Sequence, residues 1–227
     1  MAYQNPCNIV ALMVWKLVAR PEHNTRLLRT MPLASHPRAL TSEAAPAQGA
    51  APFMLRPLET AVDLRACAAL QREIWGDEYD DIVPPSLIRA ALHVGAFALG
   101  AFGVDGTLHG FVFGLTGWRD GEVVHWSHML GVSAAVRDQG IGRRLKELQC
   151  AQLARRGVAR MYWTFDPLQA RNAHLNLNVL RARVVEYVVD IYGDSRSPLH
   201  QAVGTDRVIV EWLTSPSSDD GARHLTE

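Results

Sequence analysis

Lysine is almost missing from this chain. Lys16 and Lys146 are the only two, and arginine supplies the rest of the 23 basic residues. As sequence alone, that imbalance reads as codon usage rather than chemistry. Net charge is missing too, because 23 acidic residues offset the 23 basic ones. A polyanion such as DNA is therefore excluded as the main partner, while a local site for a small anion is not. Cysteine is sparse: Cys7, Cys67 and Cys150 lie far apart with no metal-ligand spacing, which points to reduced thiols in the cytoplasm and to no bound metal. No apolar run reaches the ~20 residues that a membrane-spanning helix needs. The longest, residues 9–19, is not preceded by Lys or Arg and is followed by Arg20-Pro21-Glu22, unlike a secretory signal. There is no Gly-x-x-x-x-Gly-Lys-Ser/Thr loop.

Residues 32–52 are rich in Pro, Ala and Ser and read as a linker. Residues 1–50 are accordingly expected to be a disordered extension, 51–214 one folded domain, and 215–227 a disordered tail. Within the domain, Phe53–Leu58 reads as a strand. Thr60–Trp75 reads as an amphipathic helix capped by Thr60 with Asp63 three residues on. Pro84-Pro85 opens a short second helix to His93. Ala96–Val104, Leu108–Thr116 and Glu122–Val132 are strands separated by Asp105-Gly106 and Asp120-Gly121 turns, hence antiparallel neighbours. A helix over Gly140–Arg156, a strand over Val158–Phe165, a helix over Leu168–Leu180 and strands over Val184–Tyr192 and Arg207–Trp212 complete the order. The strand–helix–strand step from 122 to 165 requires a parallel crossover, so the sheet is expected to be mixed.

The stretch that carries chemistry runs from Leu130-Gly131-Val132 through Arg137-Asp138-Gln139-Gly140-Ile141-Gly142-Arg143. It is a strand, a loop, and Arg-x-x-Gly-x-Gly at a helix start. Glycines admit close backbone approach, and a first helical turn offers unpaired N–H groups and partial positive charge. Together they suit a pyrophosphate, with Arg137 and Arg143 adding charge, the alternative being a glycine-containing connection that binds no ligand. A Rossmann fingerprint is excluded where Leu145 replaces its third glycine.

This stretch, in this strand order, resembles the acyl-coenzyme A motif of GNAT-superfamily N-acyltransferases. The likeness covers 53–213. Trp163 to Asn172, Asn176-Leu177-Asn178, Val83-Pro84-Pro85 and Thr205-Asp206-Arg207 resemble an uncharacterised bacterial branch of that family. The resemblance implies an α/β GNAT fold, a central mixed and mostly antiparallel sheet of about seven strands flanked by helices. It also implies that the backbone at Leu130 and Val132 pairs with a pantetheine arm, and that the amides of Asp138, Gln139, Gly140, Ile141, Gly142 and Arg143 hold the pyrophosphate. Asn172 would face the cofactor, and an N–H near Leu130 would stabilise the tetrahedral oxyanion. One departure stands out. The family's proton-donating Tyr falls at Leu177, and its usual helix-ending Gly falls at Arg181.

His128, four residues before Val132, is the candidate general base, since imidazole accepts a proton near neutral pH. Its alternative is a hydrogen-bonded sheet histidine. Strict alternation would place His128 with Leu130 on one face, unless a bulge resets the count. His125 and Glu122 are weaker rivals, and Tyr187 and Tyr192 are substitute acids. Asp166 either binds an acceptor amine or caps a helix, and Thr205-Asp206-Arg207 either lines a pocket or forms a strand-entry turn. Trp126 and Trp163 are expected in the core.

The expected activity is N-acyl transfer from acetyl-CoA or another acyl-CoA to a small-molecule amine, an amino acid among the options. The attack is direct, in a ternary complex, because no cysteine sits in an activated triad. An amino-acid N-succinyltransferase and a non-catalytic CoA-binding module are the alternatives. No nucleic acid or membrane partner is expected, and a homodimer is the one assembly considered.

Overall fold

Thr60 begins the first helix as the capping pattern requires: its hydroxyl accepts from Asp63 N, and the Asp63 carboxylate accepts from Thr60 N at 3.0 Å. The computed structural model describes residues 53–77, 79, 81–193 and 205–214, so the expected extension over 1–50 and tail over 215–227 lie outside the described residues. Strand β1 is Met54–Pro57, helix α1 Ala61–Trp75, helix α2 Pro85–His93, and strands β2 to β4 are Phe97–Phe102, Leu108–Arg119 and Glu122–Val132. Helix α3 is Ile141–Arg155, strand β5 Arg160–Phe165, helix α4 Ala170–Ala173, and strands β6 and β7 are Arg183–Val188 and Arg207–Leu213.

The seven strands form one sheet in the order β1-β2-β3-β4-β5-β7-β6. Every pairing is antiparallel except β4 with β5, which is parallel. The mixed sheet is thus as the sequence implied. One face buries Leu64, Leu70, Ile88, Phe111, Phe113 and Met129 under α1 and α2. The other buries Leu99, Val112, Ile141 and Leu145 under the start of α3, and Leu153, Met161 and Trp163 further along it. Each such side chain contributes about 1.5–3 kcal/mol of burial. Arg56 closes the α1 end by a 2.8 Å ion pair with Asp63, which holds that carboxylate well below its usual range.

Two local details differ from the sequence reading. The helix expected over Leu168–Leu180 is one α-turn that widens into a π-helical segment, His174–Val179. Its exit bends at Arg181, whose φ of 53° is the left-handed conformation that favours glycine. That conformation gives a physical reason for the family's glycine at this place. The α3 stripe differs as well. The sequence periodicity predicts Ile141, Leu145, Leu148 and Ala151 on the buried side; Ile141 and Leu145 are buried and Leu148 is partly so, but Ala151 is exposed, while Lys146 and Gln149 turn two polar side chains into the core.

Candidate functional site

The parallel ladder between β4 and β5 is short. It joins Val124, His125 and Trp126 to Arg160, Met161 and Tyr162, and then stops. From Ser127 to Val132, β4 has no strand partner on its β5 side among the described residues. A strand edge without a partner offers N–H and C=O groups to an extended ligand. The strands part at a fork, and the candidate residues gather around it.

His128 is the extra residue of a β-bulge. Phe113 pairs with Met129 and Gly114 with Ser127, so His128 has no opposite number on β3. The bulge resets the alternation that would have joined His128 to Leu130. Leu130 and Val132 pack on the α3 side. His128 instead sets its ring edge-on to Phe113, 6.2 Å between centroids, on the α1–α2 side. Its side chain has no hydrogen-bond partner among the described residues. The ring is partly exposed to solvent, and the protein packed around the rest of it lowers its basicity from 6.5.

His125 takes the role that sequence reading had left open for His128, the hydrogen-bonded sheet histidine. It is fully buried, 3.0 Å from the Gln149 amide and 3.2 Å from the Thr116 hydroxyl. Burial, with Lys146 and Arg156 nearby, pushes its pKa down to about 3. Glu122 lies at the far end of β4 and pairs with Arg160 at 3.2 Å, away from the fork.

The loop after β4 is pinned by Ser133, which donates to Glu73 on α1 at 2.6 Å. Arg137 folds back toward the carbonyl of Val132 at 3.5 Å, and Asp138 and Gly140 both adopt positive φ, 65° and 72°. Helix α3 then starts without a side-chain cap, leaving its first-turn N–H groups free of side-chain acceptors. Gln139, Ile141 and Gly142 belong to this entry. A Cβ on Gly142 would lie 3.6 Å from Leu130 and 3.8 Å from Val132, so anything larger fills the slot between helix and strand edge. Arg143 is exposed and pairs with Glu147 at 2.6 Å. Asn172 is exposed on α4, beside Arg171, which reaches Asp138 at 3.5 Å. An unpaired strand edge, an uncapped helix start and a glycine-lined slot fit the arm and pyrophosphate of a coenzyme A thioester. No group of acids, histidines or cysteines among the described residues has the arrangement of a metal site.

Across the fork, Tyr192 pairs its hydroxyl with Thr164 at 2.8 Å, and burial raises its pKa. Tyr79, Asp81, Tyr192 and Arg207 lie close enough to shift one another's ionisation. Arg207 stacks over Tyr192 at 5.6 Å. Tyr187 is bound to Asp206 at the surface instead. Thr205 and Asp206 tie the strand entry: Thr205 accepts from Tyr192 N and Asp206 from Asp190 N. Asp166 accepts from Leu168 N at 2.9 Å, a local turn rather than a helix cap, since α4 starts after Gln169. Leu177 is partly exposed and carries no proton to give.

Sequence reasoning missed two residues here. Asn176 is buried and accepts the Trp163 indole N–H at 2.9 Å, and Lys146 lies beneath the fork. The signal for the second was present as the rarity of lysine in the chain.

Similarity to known proteins agrees with this geometry. No curated protein matches the chain by sequence. Among solved structures, the ribosomal-protein-S18-alanine N-acetyltransferase from Escherichia coli is 18% identical with a TM-score of 0.55, over 74% of this chain and 97% of that one. The putative acetyltransferase yncA from Salmonella typhimurium, solved with acetyl-CoA, is 18% identical with a TM-score of 0.56, over 72% of this chain and 95% of that one. An aminoglycoside 6'-acetyltransferase type Ii gives 18%, 0.56, 72% and 98% for the same quantities. At this identity the likeness shows a shared fold. The profile of the Acetyltransferase (GNAT) family matches residues 63–176, half of the chain, from α1 through the fork to the π-helical segment, and the chain belongs to that family.

Proposed function

We propose that the chain is an N-acyltransferase that moves an acyl group, acetyl by default, from an acyl-CoA to a small-molecule amine, with His128 as general base. The observation that carries the reading is the bulge, which presents an imidazole without a partner at the mouth of the fork. Family membership and a structural neighbour holding acetyl-CoA support the donor.

A bound acyl-CoA supplies the activated carbonyl. The β4 edge at Leu130 and Val132 holds the arm in register, and the first turn of α3, with Gly140 and Gly142, takes the pyrophosphate. An N–H near Leu130 faces the charge that develops on the carbonyl oxygen. His128 removes a proton from the amine as it attacks, and the enclosure that lowers its basicity keeps it unprotonated at neutral pH. Leu177 has no proton to donate, and a thiolate near the usual ~8.5 leaves without one. Among the described residues no helix is long and apolar enough to cross a membrane.

The test is transfer from acetyl-CoA and succinyl-CoA to a panel of amines and amino acids, read by free-thiol release. Transfer from either donor supports the reading, and the preferred donor decides between acetyl and succinyl. Coenzyme A binding without transfer from any donor overturns it in favour of a binding module.

A further inference from the structure

One step beyond the β4–β5 ladder stand Ser127 and Trp163, the first residues of the two strands that no longer pair. A single side chain of α3 touches both. Lys146 Nζ donates to Ser127 Oγ at 2.8 Å and lies 3.8 Å from the centroid of the Trp163 ring. Lys146 is fully buried, and no acid among the described residues bonds to it.

The hydrogen bonds that continue from it run one way. Ser127 Oγ donates to Gln149 Oε1 at 2.8 Å. The Gln149 amide nitrogen has only protons to give, so His125 Nε2 accepts at 3.0 Å and the ring proton sits on Nδ1. Nδ1 then donates to Thr116 Oγ1 at 3.2 Å, and Thr116 donates to the carbonyl of Gly95 at 3.4 Å. Strand β3 makes room at Gly114, where a Cβ would stand 2.2 Å from His125 Nε2 and 2.9 Å from Gln149 Nε2. A protonated His125 would break this chain at Gln149.

The groups around the amine are Ser127 and Trp163 on the strands and Cys150 one turn along the helix, with His125 near enough to feel its charge. None is a carboxylate. Burial drives the amine's basicity well down, and Cys150 offsets that only in part. The amine faces the Trp163 ring through its N–H groups. Arginine does not suit this place, because its planar fork of five donors would meet one hydroxyl and one ring face. In a chain that uses arginine at nearly every basic position, the one lysine among the described residues stands here. That replaces codon usage with a physical reason.

We infer that Lys146 is a positioning residue: it anchors Ser127 and Trp163 together on one face of the sheet, fixes where β4 and β5 part, and so holds the next residue, His128, against Phe113 on the other face. The inference rests on the reading of His128 as the base. Trp163 carries the constraint onward through its 2.9 Å bond to Asn176 in the π-helical segment.

The test compares wild type with Lys146→Met, which keeps the stem and removes the amine, and with Ser127→Ala. For each, kcat, KM for acyl-CoA and the acid limb of the rate profile are measured. The His128 ring is also titrated by NMR, which needs no turnover. Both variants are expected to lose about 10-fold or more in kcat, as a displaced reacting group does. KM for acyl-CoA should stay within about twofold. The His128 titration and the acid limb move up toward the ordinary imidazole range as water enters the loosened fork. The double variant loses no more than the worse single one, because the two changes break the same contact. Lys146→Arg is worse than Lys146→Met. A folded Lys146→Met with wild-type kcat and an unmoved His128 titration overturns the inference. If Lys146→Met does not fold, Ser127→Ala decides by the same two readings. Should wild type transfer no acyl group at all, the proposed function fails, and the NMR titration still gives its own answer on Lys146.

Discussion

His125 and His128 sit three residues apart on one strand and face opposite sides of the sheet. His125 is locked between Gln149 and Thr116, at 3.0 and 3.2 Å, while His128 sits perpendicular to the Phe113 ring, 6.2 Å between centroids. Alternation alone separates the two rings, and the bulge at His128, opposite Phe113 and Gly114, then turns Leu130 to the His125 side and leaves His128 beside Met129. Two chemically identical side chains thus sit in different surroundings, one buried and hydrogen-bonded and one exposed.

For His128, replacement by Ala is expected to lower turnover by roughly 10²-fold or more at neutral pH, with partial recovery at high pH where free amine is abundant. Coenzyme A affinity stays near wild type, since the ring is not part of the α3 cradle. In wild type, activity falls as pH drops through the His128 pKa, which enclosure places below 6.5. Steady-state rates between pH 5 and 10 check both statements. Near-normal turnover of His128→Ala across that range removes the base assignment.

For His125 the effect is on stability. Its folded pKa of about 3 lies below the unfolded value of 6.5, so below pH 6.5 the unfolded chain binds a proton that the folded chain refuses. Stability is therefore full above pH 6.5 and declines toward pH 3, by at most about 5 kcal/mol for this group. Denaturant unfolding of wild type and His125→Asn at pH 7 and pH 5 measures it. The variant should lose less stability than wild type between those two values.

At Gly142, substitution by Ala adds a Cβ at 3.6 Å from Leu130, an ordinary contact, and coenzyme A binding should survive. Substitution by Val fills the slot against β4 and should weaken coenzyme A binding about 10-fold or more, while the melting temperature moves by only a few degrees. Calorimetric titration on both variants distinguishes them. Equal affinity for Val and wild type would place the cofactor elsewhere.

Arg181→Gly tests a backbone cost. The left-handed φ of 53° strains a side chain and suits glycine, so the change is expected to stabilise by about 0.5–1 kcal/mol. Thermal unfolding reads it directly. A loss of stability would show that the Arg181 side chain contributes more than its backbone costs.

A chain beginning at Ala51 should fold and bind coenzyme A, because the described core starts at Phe53 and is filled by residues that follow it. Insolubility would mean that the apolar run at 9–19 covers part of that core.

Much of the fold was legible because its signals are local. Thr60 with Asp63, Pro84-Pro85, Asp105-Gly106 and the Gly140 helix start each act within four residues of themselves, and each lies where expected. The bulge at His128 was not legible, because it depends on how β3 aligns with β4, a tertiary matter. Lys146 and Gln149 looked like the polar side of an amphipathic helix. They are buried because Ser127, His125 and Trp163 offer them partners from strands distant in sequence. Arg181 was marked as a departure from the family's glycine, but its left-handed backbone could not be read from the arginine itself.

The brevity of the β4–β5 ladder also orders events in time. β2, β3 and β4 meet their neighbours across turns of a few residues, so those hairpins close quickly. The parallel ladder joins Val124 to Arg160 and must wait until α3 has formed and turned the chain back. The hairpins from β2 to β4 thus precede the parallel ladder, and during synthesis the β4 edge emerges before β5, β6 and β7, whereas β1 meets β2 only across α1 and α2. The opening between the strands is what remains when the later half arrives and zips only three pairs.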